Sequence, residues 1–419
     1  MQIISRVRSY LQDKLIKKSF FAFYLILIFF LPTQLGKHFF PLFSYVNGVR
    51  VDYLAPTIYF TDLIIFILFI GNCRQIVGYF KDKKIIFVLL LLFAGVIFAN
   101  EQSLALYRFI RYIEFAIVFF LARIFFRKNK KLILSSFLFS GLFQLVLGIL
   151  QMVQKHSLQG IFYFFGERRF DISTPGIAKA TLNGIELLRP YGTFSHPNSL
   201  AGFFLLIYFF VLIDKTFKKY SLLKYFSLSV FSILVFISFS KVAILTFLIL
   251  NGVYYLFFIK TECLICKFSK TVVPLALSSL FLTATTDPLT INKRIELLKN
   301  SFNILKNHLL FGVGLGNYLI YQSKYPSKFH LFFNQPVHNI FLLFVTEAGL
   351  FISIIFLILF IRTVKISTFK EYWLLIAVVV FTGSFDHYWL TLEQNFLLLA
   401  IIYGSVSNAF LIDKFNLRS

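Results

Sequence analysis

Acidic residues are scarce in this chain, and so is charge of any kind. Eighteen Asp and Glu stand against 42 Lys and Arg, and charged residues make up only 14% of the 419 positions. A soluble fold of this length could not clothe its surface with so little polarity. Cysteine is rare as well. Cys73, Cys263 and Cys266 are an odd set with no disulfide framework, and the single C-x-x-C pair lacks the second pair that a zinc site would use. They read as small, reduced apolar residues. The chain also lacks H-E-x-x-H, a carboxylate cluster at metal-ligand spacing and a phosphate-cradling P-loop, so nothing in it calls for a metal or another cofactor. Gly312-Val313-Gly314-Leu315-Gly316 has the wrong spacing for a dinucleotide fingerprint, and no strand precedes it.

What fills the sequence instead is apolar. The hydrophobic share is 58%, with 59 phenylalanines and a mean hydropathy of +0.79, where soluble domains sit near ~45–50%. Ile85–Phe98 and Leu350–Ile361 are apolar on every side, as helices in lipid or in a very large core must be. A formal charge of +24 would ordinarily raise nucleic acid as a partner. Here the basic residues fall between the apolar runs and not along one polar face, which argues for membrane lipids and against nucleic acid.

The runs predict an all-α integral membrane protein of about twelve transmembrane helices. Residues 1–419 then form a single polytopic membrane domain without internal repeats. The expected spans begin near Ser19, Thr57, Ile85, Ser103, Leu132, Asn198, Ser221, Lys241, Thr271, His338, Tyr372 and Leu390. Basic residues set their orientation. Arg6, Arg8, Lys14, Lys17 and Lys18 place the N-terminus in the cytoplasm, and Lys414 and Arg418 do the same for the C-terminus. The short connections carrying Lys81 to Lys84, Arg127 to Lys131, Lys215 to Lys224, Lys260 to Lys270 and Arg362 to Lys370 then all fall inside. All three cysteines lie on that reducing side. No A-x-A-like site follows the first span, so it reads as a retained anchor. Two long connections, Gln154–Pro197 and Thr285–Val337, fall outside and read as folded. Ile291–Leu305 in the second has the periodicity of an interfacial helix.

Those outer connections hold the candidate chemistry. They are basic, with Arg168, Arg169, Lys179 and Arg189 in one and Lys293, Arg294, Lys299, Lys306, Lys324 and Lys328 in the other. Each also ends at a helix start that carries His and Asn: His196-Pro197-Asn198 and His338-Asn339. Helix N-termini attract anions, and a histidine there tends to stay neutral, as a general base must. Both histidines are equally suited to plain capping. Within spans, Arg108, Arg111 and Glu114 are costly in lipid and should face a cavity or pair with one another, Arg111 with Glu114 at i,i+3. Glu347 lies about two and a half turns past His338 on the opposite helix face and should partner another helix. The aromatic stretch Ile161–Phe170 suits interfacial anchoring.

Three motifs in this order resemble the O-antigen ligase and O-antigen polymerase superfamily of bacterial membrane glycosyltransferases. They are Arg189-x-x-Gly192-Thr193-x-x-His196-Pro197-Asn198, then Gly312-x-Gly314-x-Gly316-Asn317-Tyr318, then His338-Asn339-x-x-Leu342 followed by Glu347-x-Gly349. The resemblance implies a C-type glycosyltransferase architecture in the bacterial inner membrane, with an extracytoplasmic active site. It implies an undecaprenyl-diphosphate-linked glycan as donor and a glycan, lipid or protein hydroxyl as acceptor. Transfer would be inverting and metal-independent. Ligase-like transfer is the favoured activity, ahead of glycan polymerisation and protein glycosylation. By resemblance Arg189 and His338 would be catalytic, the first holding the diphosphate and the second acting as base. Arg294, Lys241, His196, Asn198, Asn339, Arg108 and Arg111 would bind substrate, while Glu347, Gly192 and Gly349 would be structural. The superfamily often has Ser-Arg where this chain has Ser240-Lys241, and lysine cannot clamp phosphate with a planar fork. A transporter is the competing class; it predicts repeat-related halves and broken helices at the midplane.

Overall fold

The computed structural model describes residues 2–258, 281, 283, 290–325, 334–365 and 370–410. The span expected near Thr271, together with Cys263, Cys266 and Lys328, lies outside the described residues. The protein is mostly helical. Helices α1 (Gln2–Phe30), α2 (Phe60–Phe80), α3 (Lys83–Ile97), α4 (Gln102–Phe125) and α5 (Lys130–Gln154) are followed by α6 (Pro197–Ile213), α7 (Ser221–Ile237) and α8 (Lys241–Val253). Then come α9 (Thr290–Asn307), α10 (Tyr318–Gln322), α11 (Ile340–Lys365), α12 (Trp373–Gly383), α13 (Tyr388–Thr391) and α14 (Glu393–Phe410). Among the described residues five helical stretches are long and apolar enough to cross a membrane: Phe60–Phe80, Lys130–Gln154, Lys215–Ile237, Lys241–Phe258 and Ile340–Arg362. The chain has the build of a multi-pass membrane protein.

Apolar sequence has two different uses here. Every residue of α6 except Asn198 is buried. Its sequence, PNSLAGFFLLIYFFVLI, is apolar all round because α5, α7, α8, α12 and α14 all pack against it. Its phenylalanines interlock with those of its neighbours, as where Phe204 stacks on Phe231 with centroids 5.7 Å apart. In lipid such packing is held by dispersion contacts and not by exclusion of water. By contrast α2 and α11 leave most of their surface open, with Phe66 and Leu357 among the exposed residues. These are the faces that suit hydrocarbon.

Side-chain hydrogen bonds gather the helix ends at one end of the bundle. Thr193 Oγ1 donates to the Pro32 carbonyl just past α1, and the Gln144 side chain of α5 holds both the Thr193 N–H and hydroxyl. The last turn of α7 is joined through Arg189, the ends of α12 through Asn339, and the start of α14 through Gln394, which donates to Pro32. Gly95, near the end of α3, accepts from Leu315 N–H. Both long connections named from the sequence run across this end.

The all-α expectation needs one amendment. Among the described residues, three two-stranded antiparallel ribbons stand in the connections. Strands β1 (Gly36–His38) and β4 (Thr57–Tyr59) pair around the smaller ribbon of β2 (Tyr45–Val46) and β3 (Val49–Arg50). Strands β5 (Lys179–Leu182) and β6 (Ile185–Leu188) form a hairpin between α5 and α6. The first two ribbons occupy residues 31–59, a third long connection beyond the two read from the sequence. The expected interfacial segment is helical, as α9, with Leu297 and Ile304 buried on one face and Ile291 and Phe302 exposed.

Candidate active site

Two positions show why the motif glycines are glycines. Gly192 has φ +56°, and a Cβ there would stand 2.2 Å from Gln144 Oε1. Gly349 has φ +78° and breaks α11, with its own would-be Cβ 2.2 Å from the Leu310 carbonyl oxygen. Any side chain at either site would meet both strain and collision. The first turn lets residues 189–198 fold back over α5. The second lets the 310–314 strand of loop lie against α11, where Val313 and Gly314 N–H groups bond to the Thr346 and Glu347 carbonyls.

The first turn leads into α6 through its cap. His196 is the N-cap residue, and its Nδ1 accepts the Asn198 N–H at 3.1 Å, with Pro197 in the first turn. Burial and the nearby Arg189 charge push His196 down to about 3, so it is neutral at physiological pH. From the cap a chain of polar contacts crosses the bundle. Arg189 Nε donates to the Ser238 carbonyl at 2.7 Å and Nη2 donates to Asn198 Oδ1 at 2.7 Å. Asn198 Nδ2 donates to Asp386 Oδ2 at 2.9 Å. Asp386 Oδ1 lies 3.4 Å from His338 Nδ1 and accepts the His387 N–H at 2.9 Å. The His338 and His387 rings lie 5.0 Å apart, and Tyr53 meets His387 edge-on at 5.4 Å. Arg189, Asp386 and His387 are buried.

Burial lowers Arg189 to about 10, which leaves it a cation. Burial opposes charge on Asp386 too, but its contact with His338 outweighs this and holds the carboxyl well below its ordinary value. Burial also pushes His387 down to about 3. The cluster at neutral pH is thus one carboxylate, one buried guanidinium and a half-buried His338 whose Nδ1 faces that carboxylate.

The structure brings together Arg189, His196, Asn198 and His338. Arg294, on α9, joins them: its charge acts on Arg189, His196 and His387, and its buried Nε has no hydrogen-bond partner among the described residues. Asn339 is occupied within the chain, capping Leu342 N–H and donating to the Ser384 carbonyl. Lys241 is exposed at the start of α8 and makes no hydrogen bond or ion pair among the described residues. Glu347 faces the backbone of Gly316 and Tyr318, at the glycine loop and the start of α10.

Arg108 and Arg111 stand in a neighbouring region. Arg108 donates to the Tyr53 carbonyl at 2.7 Å. Arg111 forms the i,i+3 pair with Glu114 at 2.5 Å and also binds Asp62 at 2.9 Å and the Thr57 carbonyl, with Glu393 3.7 Å away. Its guanidinium is taken up by the protein. A cavity of about 40 Å³ lies between these arginines, Glu347, Glu393 and Tyr53. It has room for water.

Sequence reading missed Asp386 and His387. The signal was present: two ionisable residues inside an otherwise apolar stretch, residues 378–390. His338, Asp386 and His387 also offer ligand atoms within 4.8 Å of one another, as do Asp62, Glu114 and Glu393. Two imidazoles and a carboxylate are a donor set that a divalent cation accepts.

This is a polytopic helical protein with a buried imidazole–carboxylate–guanidinium cluster at one bundle end. Residues 193–357 match the family model described as O-antigen ligase. The match supports the O-antigen ligase superfamily named from the motifs, and with it ligase- or polymerase-type glycosyl transfer in general. It contains His196, Asn198, Arg294 and His338, while Arg189 and Asp386 lie beyond its ends. No curated protein matches the chain.

Proposed function

We propose that the chain is a ligase-like glycosyltransferase of a bacterial inner membrane. In this reading the cluster faces outward, and the enzyme moves a glycan from undecaprenyl diphosphate to an acceptor hydroxyl. The observation that carries the reading is the buried Asp386 behind His338. An ionised carboxylate against Nδ1–H fixes the tautomer and leaves the Nε2 lone pair as a base. The acceptor hydroxyl gives its proton to His338 Nε2 as its oxygen bonds the anomeric carbon. The bond from that carbon to the phosphate oxygen breaks on the opposite face, and its electron pair leaves with the diphosphate. Configuration inverts. Arg189, whose Nη1 makes no hydrogen bond among the described residues, and Arg294 stand ready for the charge that builds on the leaving group. Asn198 joins the two halves, aligning Arg189 with one amide atom and Asp386 with the other.

Glycan polymerisation uses the same donor chemistry and differs in the acceptor. Purified protein supplied with lipid-linked glycan and candidate acceptors tests the reading. Transfer that persists in EDTA is expected, with free polyprenyl diphosphate released. Transfer abolished by EDTA and restored by a divalent cation would make His338, Asp386 and His387 metal ligands and remove the base assignment.

A further inference from the structure

The connection between α5 and α6 carries a cation that the reaction above does not use. Arg168 is exposed, yet aromatic rings fix its guanidinium: Cζ lies 5.8 Å from the Phe170 centroid and 5.3 Å from that of Tyr191. Those rings are buried and 4.7 Å apart. Tyr191 is anchored by the Ala178 N–H, which donates to its hydroxyl at 2.7 Å, and it packs 6.2 Å from the His196 ring. The guanidinium therefore stands one aromatic ring away from the imidazole cluster.

The residue before it makes the position rigid. Glu167 is buried, and its carboxylate accepts Gln151 Nε2 at 2.8 Å, Leu158 N–H at 3.0 Å and Gln159 N–H at 2.6 Å. Arg168 itself makes no hydrogen bond or ion pair among the described residues. All five of its N–H donors remain for a ligand. Arg189 differs, since it has committed two donor groups to Ser238 and Asn198. A guanidinium stacked on rings with its fork free is suited to phosphate oxygens.

Apolar surface leads up to this fork. Ile161, Tyr163 and Phe164 are 68%, 55% and 67% exposed on the 3₁₀ turn Gly160–Phe165. The turn is pinned from beneath by Phe165, which stacks on Phe30 at 5.7 Å and packs on Phe143 at 4.9 Å. An exposed apolar wedge that ends three residues before a free fork in the chain matches a molecule with a hydrocarbon chain ending in phosphate. A free sugar or inorganic phosphate would use only one half of it.

We propose that Arg168 is a donor-binding residue that takes the diphosphate of a polyprenyl-linked glycan arriving along Ile161–Phe165 and presents it to the Arg189–His338 cluster. This rests on the transferase reading above. The test uses the full chain in nanodiscs, with farnesyl diphosphate and farnesol as binding probes and lipid-linked glycan as donor. Arg168→Ala should weaken farnesyl diphosphate at least ~10-fold and leave farnesol unchanged, the scale expected for lost charge-assisted bonds. Donor KM should rise by a similar factor while kcat changes less than ~3-fold. Arg168→Lys should recover part of the loss, and Lys179→Ala, which removes a charge paired with Glu186, should change nothing. Unaltered diphosphate affinity and KM in Arg168→Ala would overturn the proposal, and so would equal loss of both probes. Failure of the transferase reading is distinguishable: the wild type would then bind farnesyl diphosphate through Arg168 yet transfer no glycan.

Discussion

The two ends of the bundle use the same residue types to opposite effect. At one end, Lys81 lies exposed between α2 and α3 and Lys83 and Lys84 at the start of α3, while Lys215, Lys218 and Lys219 lie exposed between α6 and α7. The pairs they make, such as Lys215 with Glu371 at 3.1 Å, are partly solvated and worth little. At the other end, Arg189, Asp386, Arg111 and Glu114 are buried, and each is hydrogen-bonded within the protein. A buried charge is tolerated only when paired, so that end must be ordered before anything binds. Charge placed by topology stays wet and adjustable. Charge placed for chemistry is fixed.

The largest effect that could break this comparison is all-or-none. A cysteine at Lys179 should react with an impermeant thiol reagent in intact spheroplasts, while one at Lys218 should react only after the membrane is opened. Reaction of both in intact cells would erase the difference between the ends. Next comes the carboxylate behind the imidazole. Asp386→Asn keeps the shape but loses the charge that orients His338, and transfer should slow ~10–100-fold with donor binding retained. Near-normal kcat in a folded Asp386→Asn protein would reduce the contact to packing.

A smaller effect sharpens the same contrast through pH. His196 and His387 are held down to about 3 by burial, so the folded protein keeps them neutral where the unfolded chain, at about 6.5, takes up protons. Their contribution to stability is thus full above about 6.5 and falls with acidification, by roughly 1.4 kcal/mol per pH unit for each ring. Thermal unfolding from pH 7 to pH 5 should show this loss, and His387→Gln should flatten it. An unchanged slope in the variant would place the ring in a more solvated setting.

Some of this site was legible in the sequence. His196 before Pro197 announced a helix start, and the structure makes it the cap. The Arg111–Glu114 pair followed from i,i+3 spacing. Their further partners did not, because Asp62 and Glu393 arrive from α2 and α14, and helical periodicity says nothing of contacts between helices. Asp386 escaped for the same reason: it sits 48 positions beyond His338 in sequence numbering, in the short stretch before the span expected near Leu390. The ribbons escaped because strands of two to four residues are too short to show alternation. Phe60–Phe80 and Pro197–Ile213 are both largely apolar helices, and packing separates the lipid-facing one from the central one.

The central claim is that His338 takes the acceptor's proton while Asp386 holds it in place. Single-turnover transfer by purified protein, with donor and acceptor saturating, tests this directly because binding cannot limit the rate. His338→Gln should keep donor binding and transfer at least ~10²-fold more slowly than the wild type, the scale of lost acid–base catalysis. Transfer by His338→Gln at a rate near that of the wild type would contradict the account, leaving His338 as a lining residue and catalysis to activation of the donor alone.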